Sequence, residues 1–195
     1  MTASVVTGAD GRRRCWWGAS DPLYVAYHDD EWGVPIRDEQ AVFELLCLEG
    51  FQAGLAWITI LRKRNAFRAA FDGFAIDRVA AYGPADVERL MGDAGIVRNR
   101  AKIEATIGNA MATLALQDEG TSLAELVWSF APPPRASPRL DGDDVPASTP
   151  EAAALSKELR RRGFRFVGPT IVYAFMQAAG LVDDHLAGCF RAGVR

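Results

Sequence analysis

The sequence predicts an all-α protein. Apolar residues recur at helical spacing in one segment after another, most of these segments open on a capping residue or a proline, and no strand-like alternation persists. Ser20 with Pro22 opens a helix through "DPLYVAYHDDEW". Asp38 caps "DEQAVFELLCLEGFQAG", which is apolar at Val42, Leu45 and Leu46, and "AWITILRKRNAFRAAF" follows after Gly54. Pro84 starts "ADVERLMGDAG", Asn99 starts "RAKIEATIGNAMATLAL", and "SLAELVWSF" is a short helix. Residues 131–148, "APPPRASPRLDGDDVPAS", read as an exposed loop from their Pro and Asp content. Thr149 and Pro150 cap "EAAALSKELRRR", and Pro169 opens "TIVYAFMQAAG".

The chain has 195 residues, 49% hydrophobic and 24% charged, the make-up of one globular domain or of two small lobes sharing a core. The longest apolar run, "TIVYAFMQAAGLV", is interrupted by Gln177 and Gly180 and is too short to span a membrane. The N-terminus lacks the hydrophobic core of a signal peptide. These features lead us to expect a cytoplasmic protein with a disordered leader at 1–13, a single domain at 14–190 and a tail at 191–195. Three cysteines make no disulfide framework. The net charge is −3, yet arginines cluster at 12–14, at 62–64 around Lys63, at 98–100 and at 160–165. Such patches can grip phosphate locally, or they are simply solvated helix faces.

Three stretches carry candidate chemistry. Cys15 with His28, and His185 with Cys189, make a Cys2His2 set suited to tetrahedral zinc, with the second pair on one face if that stretch is helical. The plainer reading is two stray pairs. "LSKELRRRGFRFVGPTIVYAFMQAAG" reads as helix, glycine hairpin, helix. Gly163 would end the first helix, and Gly168 would bare the N-terminus of the next, where a phosphate could sit. A plain helical corner fits equally. Glu49 falls on the apolar face of its helix, among Trp16, Trp17, Tyr24, Tyr27, Trp32 and Trp57. A carboxylate there is paired, protonated, functional, or reaches solvent at the helix end.

The hairpin is similar to the L-P-G-V-G-R-K-T-A motif of helix-hairpin-helix DNA glycosylases. "CWWGASDPLYVAYHDDEWGVP", "LLCLEGFQAGLAWITIL", "DAGIVRNRAKIEATIGNA", "VWSF" and "DHLAGC" closely resemble the bacterial 3-methyladenine DNA glycosylase I family. The resemblance covers about residues 14–190 apart from the loop. It implies a two-lobed helix-hairpin-helix glycosylase fold and excision of N3-methyladenine from alkylated double-stranded DNA in base excision repair; a monomer suffices for this chemistry, and no obligate protein partner is expected. It also implies one structural zinc on Cys15, His28, His185 and Cys189. Glu49 would bond the base edge as the catalytic carboxylate, Trp57 would stack on the base, and Trp17, Tyr24 and Tyr27 would form walls, with Tyr27 orienting Glu49. Gly54 and Leu55 would plug the vacated stack, and Gly168 and Thr170 would meet the DNA backbone. Members that also cut the strand carry a lysine where this chain has Thr170, so no lyase step is expected.

There are departures from the family pattern. Phe51 and Ala56 stand where the family often has glutamine and serine, and both are expected to flank the pocket. Familiar members read V-N-D-H where this chain reads Val182-Asp183-Asp184-His185, so Asp183 occupies the place of the superfamily's catalytic aspartate. It either stabilises a developing oxocarbenium ion or caps a helix beside the zinc ligands. Two rivals remain at this level, a non-catalytic damage sensor and a zinc hydrolase.

Overall fold

A computed structural model describes residues 4–194 and is helical through most of its length. In chain order the elements are strands β1 (Val5–Thr7) and β2 (Arg13–Cys15), then helices α1 (Pro22–Asp30), α2 (Glu39–Gln52), α3 (Trp57–Ala70), α4 (Ile76–Ala80), α5 (Pro84–Gly92), α6 (Arg100–Asp118), α7 (Leu123–Trp128), α8 (Pro150–Arg161) and α9 (Pro169–Ala178). Short 3₁₀ turns lie at Trp16–Ala19, Asp72–Phe74 and Gly142–Asp144.

The capping chemistry legible in the sequence sets most of these boundaries. Asp38 accepts from Ala41 N at 2.9 Å, Asn99 from Lys102 N at 3.2 Å and Thr149 from Ala152 N at 3.2 Å, each satisfying a donor that the first turn leaves free. Ser122 and Glu125 form a capping box on α7. Pro22, Pro84, Pro150 and Pro169 occupy the first turns of α1, α5, α8 and α9, where the missing N–H is not needed.

Three expectations are corrected. The cap of α1 is Asp21, which accepts from Leu23 N at 2.8 Å, whereas the Ser20 hydroxyl donates to Trp17 O. The second concerns the leader at 1–13, where β1 and β2 form an antiparallel hairpin pairing Val5 with Cys15, while the body of the fold is helical as expected. The register is held from inside, because Arg14 is buried with its guanidinium on Asp29 and Asp10. Residues 1–3 of the expected leader lie outside the described residues. The third correction concerns 181–189, which is turn and irregular backbone instead of helix, with Gly180 and Gly188 at positive φ.

One contiguous apolar cluster runs from Val42 on α2 to Val182 beyond α9, so the expected two-lobed division does not divide the core. α2 crosses its centre, touching α3, α6, α7 and α9, while α8 lies against α9. A stack of Phe51, Phe67, Phe71 and Phe74 fills the space between α2 and α3, with Phe71 and Phe74 parallel at 5.3 Å. A second, small cluster joins Cys15, Leu186 and Cys189 and ties the two ends of the fold together.

Candidate functional site

An open cavity of about 530 Å³ lies between α1, α2, α3 and α9, within the size range of small-molecule sites. α2 supplies Glu49 and Gln52, α1 supplies Tyr24 and Tyr27, and α3 begins with Trp57. Trp16, Trp17 and Trp32 close one side. The rings form a connected set of edge-to-face and tilted pairs. Trp17 lies 5.8 Å from Tyr24, 6.4 Å from Tyr27 and 4.9 Å from Trp32, and Tyr27 lies 5.7 Å from Trp57. The Tyr24 hydroxyl is committed elsewhere, accepting from Ile58 N at 2.9 Å. It thereby helps hold the first turn of α3, from which Trp57 projects.

Glu49 is 4% exposed, so it does not reach solvent as a helix-end residue would. Burial alone lifts its carboxyl to about 8, because the ionised form loses its hydration and gains no bonded donor in exchange. Tyr27 is also buried, and burial followed by the neighbouring Glu49 charge pushes its phenol well above the usual range. No hydrogen bond links the Tyr27 hydroxyl to Glu49, so the two interact through charge alone. Trp57 Nε1 is buried with no hydrogen-bond partner among the described residues. The site thus offers stacking faces, an N–H donor and a carboxyl whose ionisation responds to any cation that enters.

The turn between α2 and α3 carries Gly54 and Leu55 at the surface, Leu55 being 39% exposed. Lys102 holds this turn from below. It is buried, and its ammonium donates to Phe51 O at 2.8 Å and Ala53 O at 2.6 Å, the free carbonyls at the end of α2. Phe51 and Ala56 adjoin the cavity-lining Gln52 and Trp57 in the chain, and neither lines the cavity itself. Phe51 is core and Ala56 is the exposed residue before α3, on either side of the non-helical turn that carries Gly54 and Leu55.

The α8–α9 hairpin forms as expected. Gly163 has φ +91°, a left-handed turn that costs a side-chain-bearing residue strain. Asn109 of α6 clamps the hairpin, accepting from Arg165 N at 2.8 Å and donating to Arg165 O at 3.1 Å. Gly168 precedes α9, and Thr170 is exposed in its first turn. Arg161 and Arg162 bond Glu158, whereas Arg160 and Arg165 form no ion pair with any described residue. The 62–64 run is not a free cationic patch: Arg62 pairs with Asp21, Arg64 with Glu31, and Lys63 donates to Ala94 O and Gly95 O.

Cys15, His28 and Cys189 bring one donor atom each to within 4.8 Å of one another, all buried. Cys189 Sγ is 3.4 Å from His28 Nε2. The contact from Cys15, reinforced by His28, pulls the Cys189 thiol well below its usual range. His185 stands beside the three with its ring 5.2 Å from that of His28, and its Nε2 is buried without a hydrogen-bond partner. Each histidine Nδ1 faces a carboxylate at 2.9 Å, Asp29 for His28 and Asp183 for His185. This is the arrangement that leaves both Nε2 lone pairs for a metal, so the donor set fits a tetrahedral cation. Gly33, at φ +81°, makes room for it, since a Cβ there would lie 2.8 Å from the His185 ring. None of the four residues lines the cavity.

Asp183 is fully engaged. Its carboxylate accepts from His185 N, His185 Nδ1 and Gly193 N and does not line the cavity, so it neither caps a helix nor faces a reacting sugar. Sequence reasoning missed its neighbour. Asp184 is buried in the cavity lining, with Gln177, Ala174 and Leu186 around it. Gly142 and Val145 of the 131–148 loop also line the cavity, and nothing in their sequence signals it.

The helical fold holds a carboxyl-bearing aromatic cavity, and similarity to known proteins places the chain among the enzymes that hydrolyse N-glycosyl bonds. A family model described as methyladenine glycosylase matches residues 16–192, and the chain belongs to that family. It is 53% identical to the DNA-3-methyladenine glycosylase 1 of Escherichia coli (strain K12) over 177 residues, 90% of this chain and 95% of that protein. A crystal structure of a 3-methyladenine DNA glycosylase I superimposes with a TM-score of 0.88 at 54% identity, covering 91% of this chain and 98% of that one. The Staphylococcus aureus 3-methyladenine DNA glycosylase I, studied for its recognition of 3-methyladenine, superimposes with a TM-score of 0.88 at 38% identity, covering 93% and 97%. The family decides against a non-catalytic damage sensor. No helix among the described residues is long and apolar enough to cross a membrane.

Proposed function

We propose that this enzyme excises N3-methyladenine from alkylated double-stranded DNA by hydrolysis, leaving an abasic site and making no strand cut. The observation that carries the proposal is Glu49, an unpaired carboxyl buried among aromatic faces. Methylation at N3 makes the nucleoside base a cation and weakens its glycosidic bond. The base leaves neutral, so little acid catalysis is needed. A cationic ring entering the cavity meets π faces, and its charge favours the ionised form of Glu49, which then bonds the base edge. An unmodified adenine brings no charge to offset the ionisation of Glu49 in that dry site. Water attacks C1′ as the base departs.

The base must be extruded to reach this cavity. Leu55, presented by the Gly54 turn, is the apolar wedge for the vacated stack. The α9 N-terminus at Gly168 and Thr170, with Arg160 and Arg165 nearby, holds backbone phosphate without reading sequence. No lysine lines the cavity and Thr170 replaces the Schiff-base lysine, so the enzyme is monofunctional. Cys15, His28, His185 and Cys189 would hold one zinc, which supplies a structural crosslink, since four protein ligands leave no open position. A monomer suffices for the reaction, and a cytoplasmic location suits a repair enzyme without a membrane span. The test is release of 3-methyladenine from methylated DNA by the wild type and by Glu49→Gln in parallel. Release by the wild type and its loss in the variant are expected; no release by the wild type removes the proposal.

A further inference from the structure

The 131–148 segment looks like a spacer, yet two of its residues, Gly142 and Val145, line the cavity. The other lining residues come from α1, α2, α3, α9 and the short stretches joined directly to α1 or α9. The loop has few apolar anchors: Leu140 is 78% exposed, and Val145 is the member that reaches both apolar clusters. What fixes it is polar. Between Pro132 and Ser148, every hydrogen bond from this loop to the remote body of the protein converges on Tyr173 and residues 183–187. Arg135 donates to Asp183 O at 2.6 Å and to the Asp184 carboxylate. Arg139 donates to Asp184 Oδ1 at 2.7 Å and to the Tyr173 hydroxyl at 3.3 Å. Arg139 O accepts from Ala187 N at 2.6 Å.

Asp184 is the hub of these bonds. Its first oxygen takes both arginines, and its second takes the Tyr173 hydroxyl and Gln177 Nε2 at 2.8 Å. A carboxylate with four donors has no free lone pair for substrate chemistry. Although it lines the cavity, it cannot act as a base. Arg139 also turns inward to its own loop, donating to Asp144 O, so one guanidinium joins the hub to the turn that bears Gly142 and Val145.

We propose that Asp184 is a positioning residue that straps the 139–145 segment across the base cavity through Arg139 and Arg135, and that this strapped wall sets the bulk of the purine the cavity accepts. The inference rests on the glycosylase reading of the cavity. The helical walls are tied into the apolar core and yield little, whereas the strap is held by a few polar bonds and is the part of the lining that opens at low cost.

The test is the double variant Arg135→Gln, Arg139→Gln in the full chain. It removes the side-chain strap bonds, leaves the backbone bond between Ala187 N and the carbonyl of residue 139 to report on the strap, and leaves Asp184 bonded to Tyr173 and Gln177. Hydrogen exchange reads the Ala187 amide without reference to activity. Release of N3-methyladenine and N3-ethyladenine from alkylated DNA reads selection. We expect faster Ala187 exchange, a KM for methylated DNA raised roughly threefold to tenfold because the wall is in place only part of the time, and a single-turnover rate within about twofold of wild type at saturation. The ethyl-to-methyl ratio should rise at least about threefold, since an added methylene in a shaped pocket is worth roughly tenfold or more. Unchanged Ala187 exchange, or faster exchange with an unchanged ratio, overturns the proposal. A variant that unfolds is replaced by Arg135→Gln alone, which keeps Arg139 and is held to the same readouts in weaker form. A wild type that releases no methylated base removes the glycosylase reading along with this one, whereas an active wild type with an unchanged ratio removes only this one.

Discussion

Replacing Glu49 by glutamine should make the protein more stable and less active at once. The carboxyl sits at about 8 in the folded protein against 4.5 when solvated, because burial penalises its charge. Between those two values the native state holds a proton that the unfolded chain has released. Stability therefore falls as pH rises through the window, with a slope of about 1.4 kcal/mol per pH unit at most. At pH 5 the penalty is under about 1 kcal/mol, and at pH 7 it reaches about 3 kcal/mol. Glutamine keeps the shape and cannot ionise. Urea unfolding of wild type and Glu49→Gln at half-unit steps from pH 5 to pH 8 should give curves that diverge, the variant being more stable by about 3 kcal/mol at pH 7. That corresponds to a midpoint higher by about 1–3 M for ordinary urea slopes. Effects of pH on the cysteine and histidine cluster are common to both proteins and cancel in the difference. Single-turnover release of 3-methyladenine by the variant should fall by a hundredfold or more, the usual size for a lost electrostatic partner of the transition state. Parallel stability curves would refute the claim that Glu49 is buried without a partner, even if activity were lost.

Three further outcomes follow from the same geometry. Asp183→Asn should leave the single-turnover excision rate within about twofold, since its carboxylate serves His185 and Gly193, while weakening metal retention against a chelator by roughly 10–100-fold, as for other partners of metal-bound histidines; a large rate loss with metal retained would restore a catalytic role. Lys102→Met removes the cap on the carbonyls of Phe51 and Ala53, and should raise the Kd for duplex DNA several-fold while leaving binding of free 3-methyladenine, read by tryptophan fluorescence, unchanged. Cys189→Ser should abolish stoichiometric zinc binding and lower the thermal midpoint by several degrees, since loss of a structural metal site removes folding free energy outright; an unchanged zinc content would refute the ligand assignment.

Much of this molecule was legible in its sequence because local chemistry decides it. Asp38, Asn99, Thr149 and the four helix-opening prolines act within one turn, and the helices begin where those residues place them. Glu49 stood out because a carboxylate on an apolar face is costly. Ser20 misled because Asp21 sits one residue closer to the first free amides, and a full carboxylate outcompetes a hydroxyl for them. The β1–β2 hairpin was hidden because three-residue strands leave no alternation to read, and its register depends on Arg14 reaching Asp29 from fifteen residues away. The role of the 131–148 loop was equally hidden. Its composition reports exposure, whereas its position is set by a carboxylate more than forty residues downstream.

The contact of Cys15 Sγ with Leu186 N bridges 171 residues. During biosynthesis at roughly 5–20 residues per second, that partner emerges on the order of ten to thirty seconds after Cys15. Until then the N-terminal hairpin lacks its Leu186 contact, and Trp32 lacks the His185 ring it rests on. The base cavity acquires a finished wall only once Asp184 and Leu186 have been made. A prematurely terminated product would therefore carry Glu49 and most of its aromatic neighbours without the closed site they need, and so be unable to take a base from DNA.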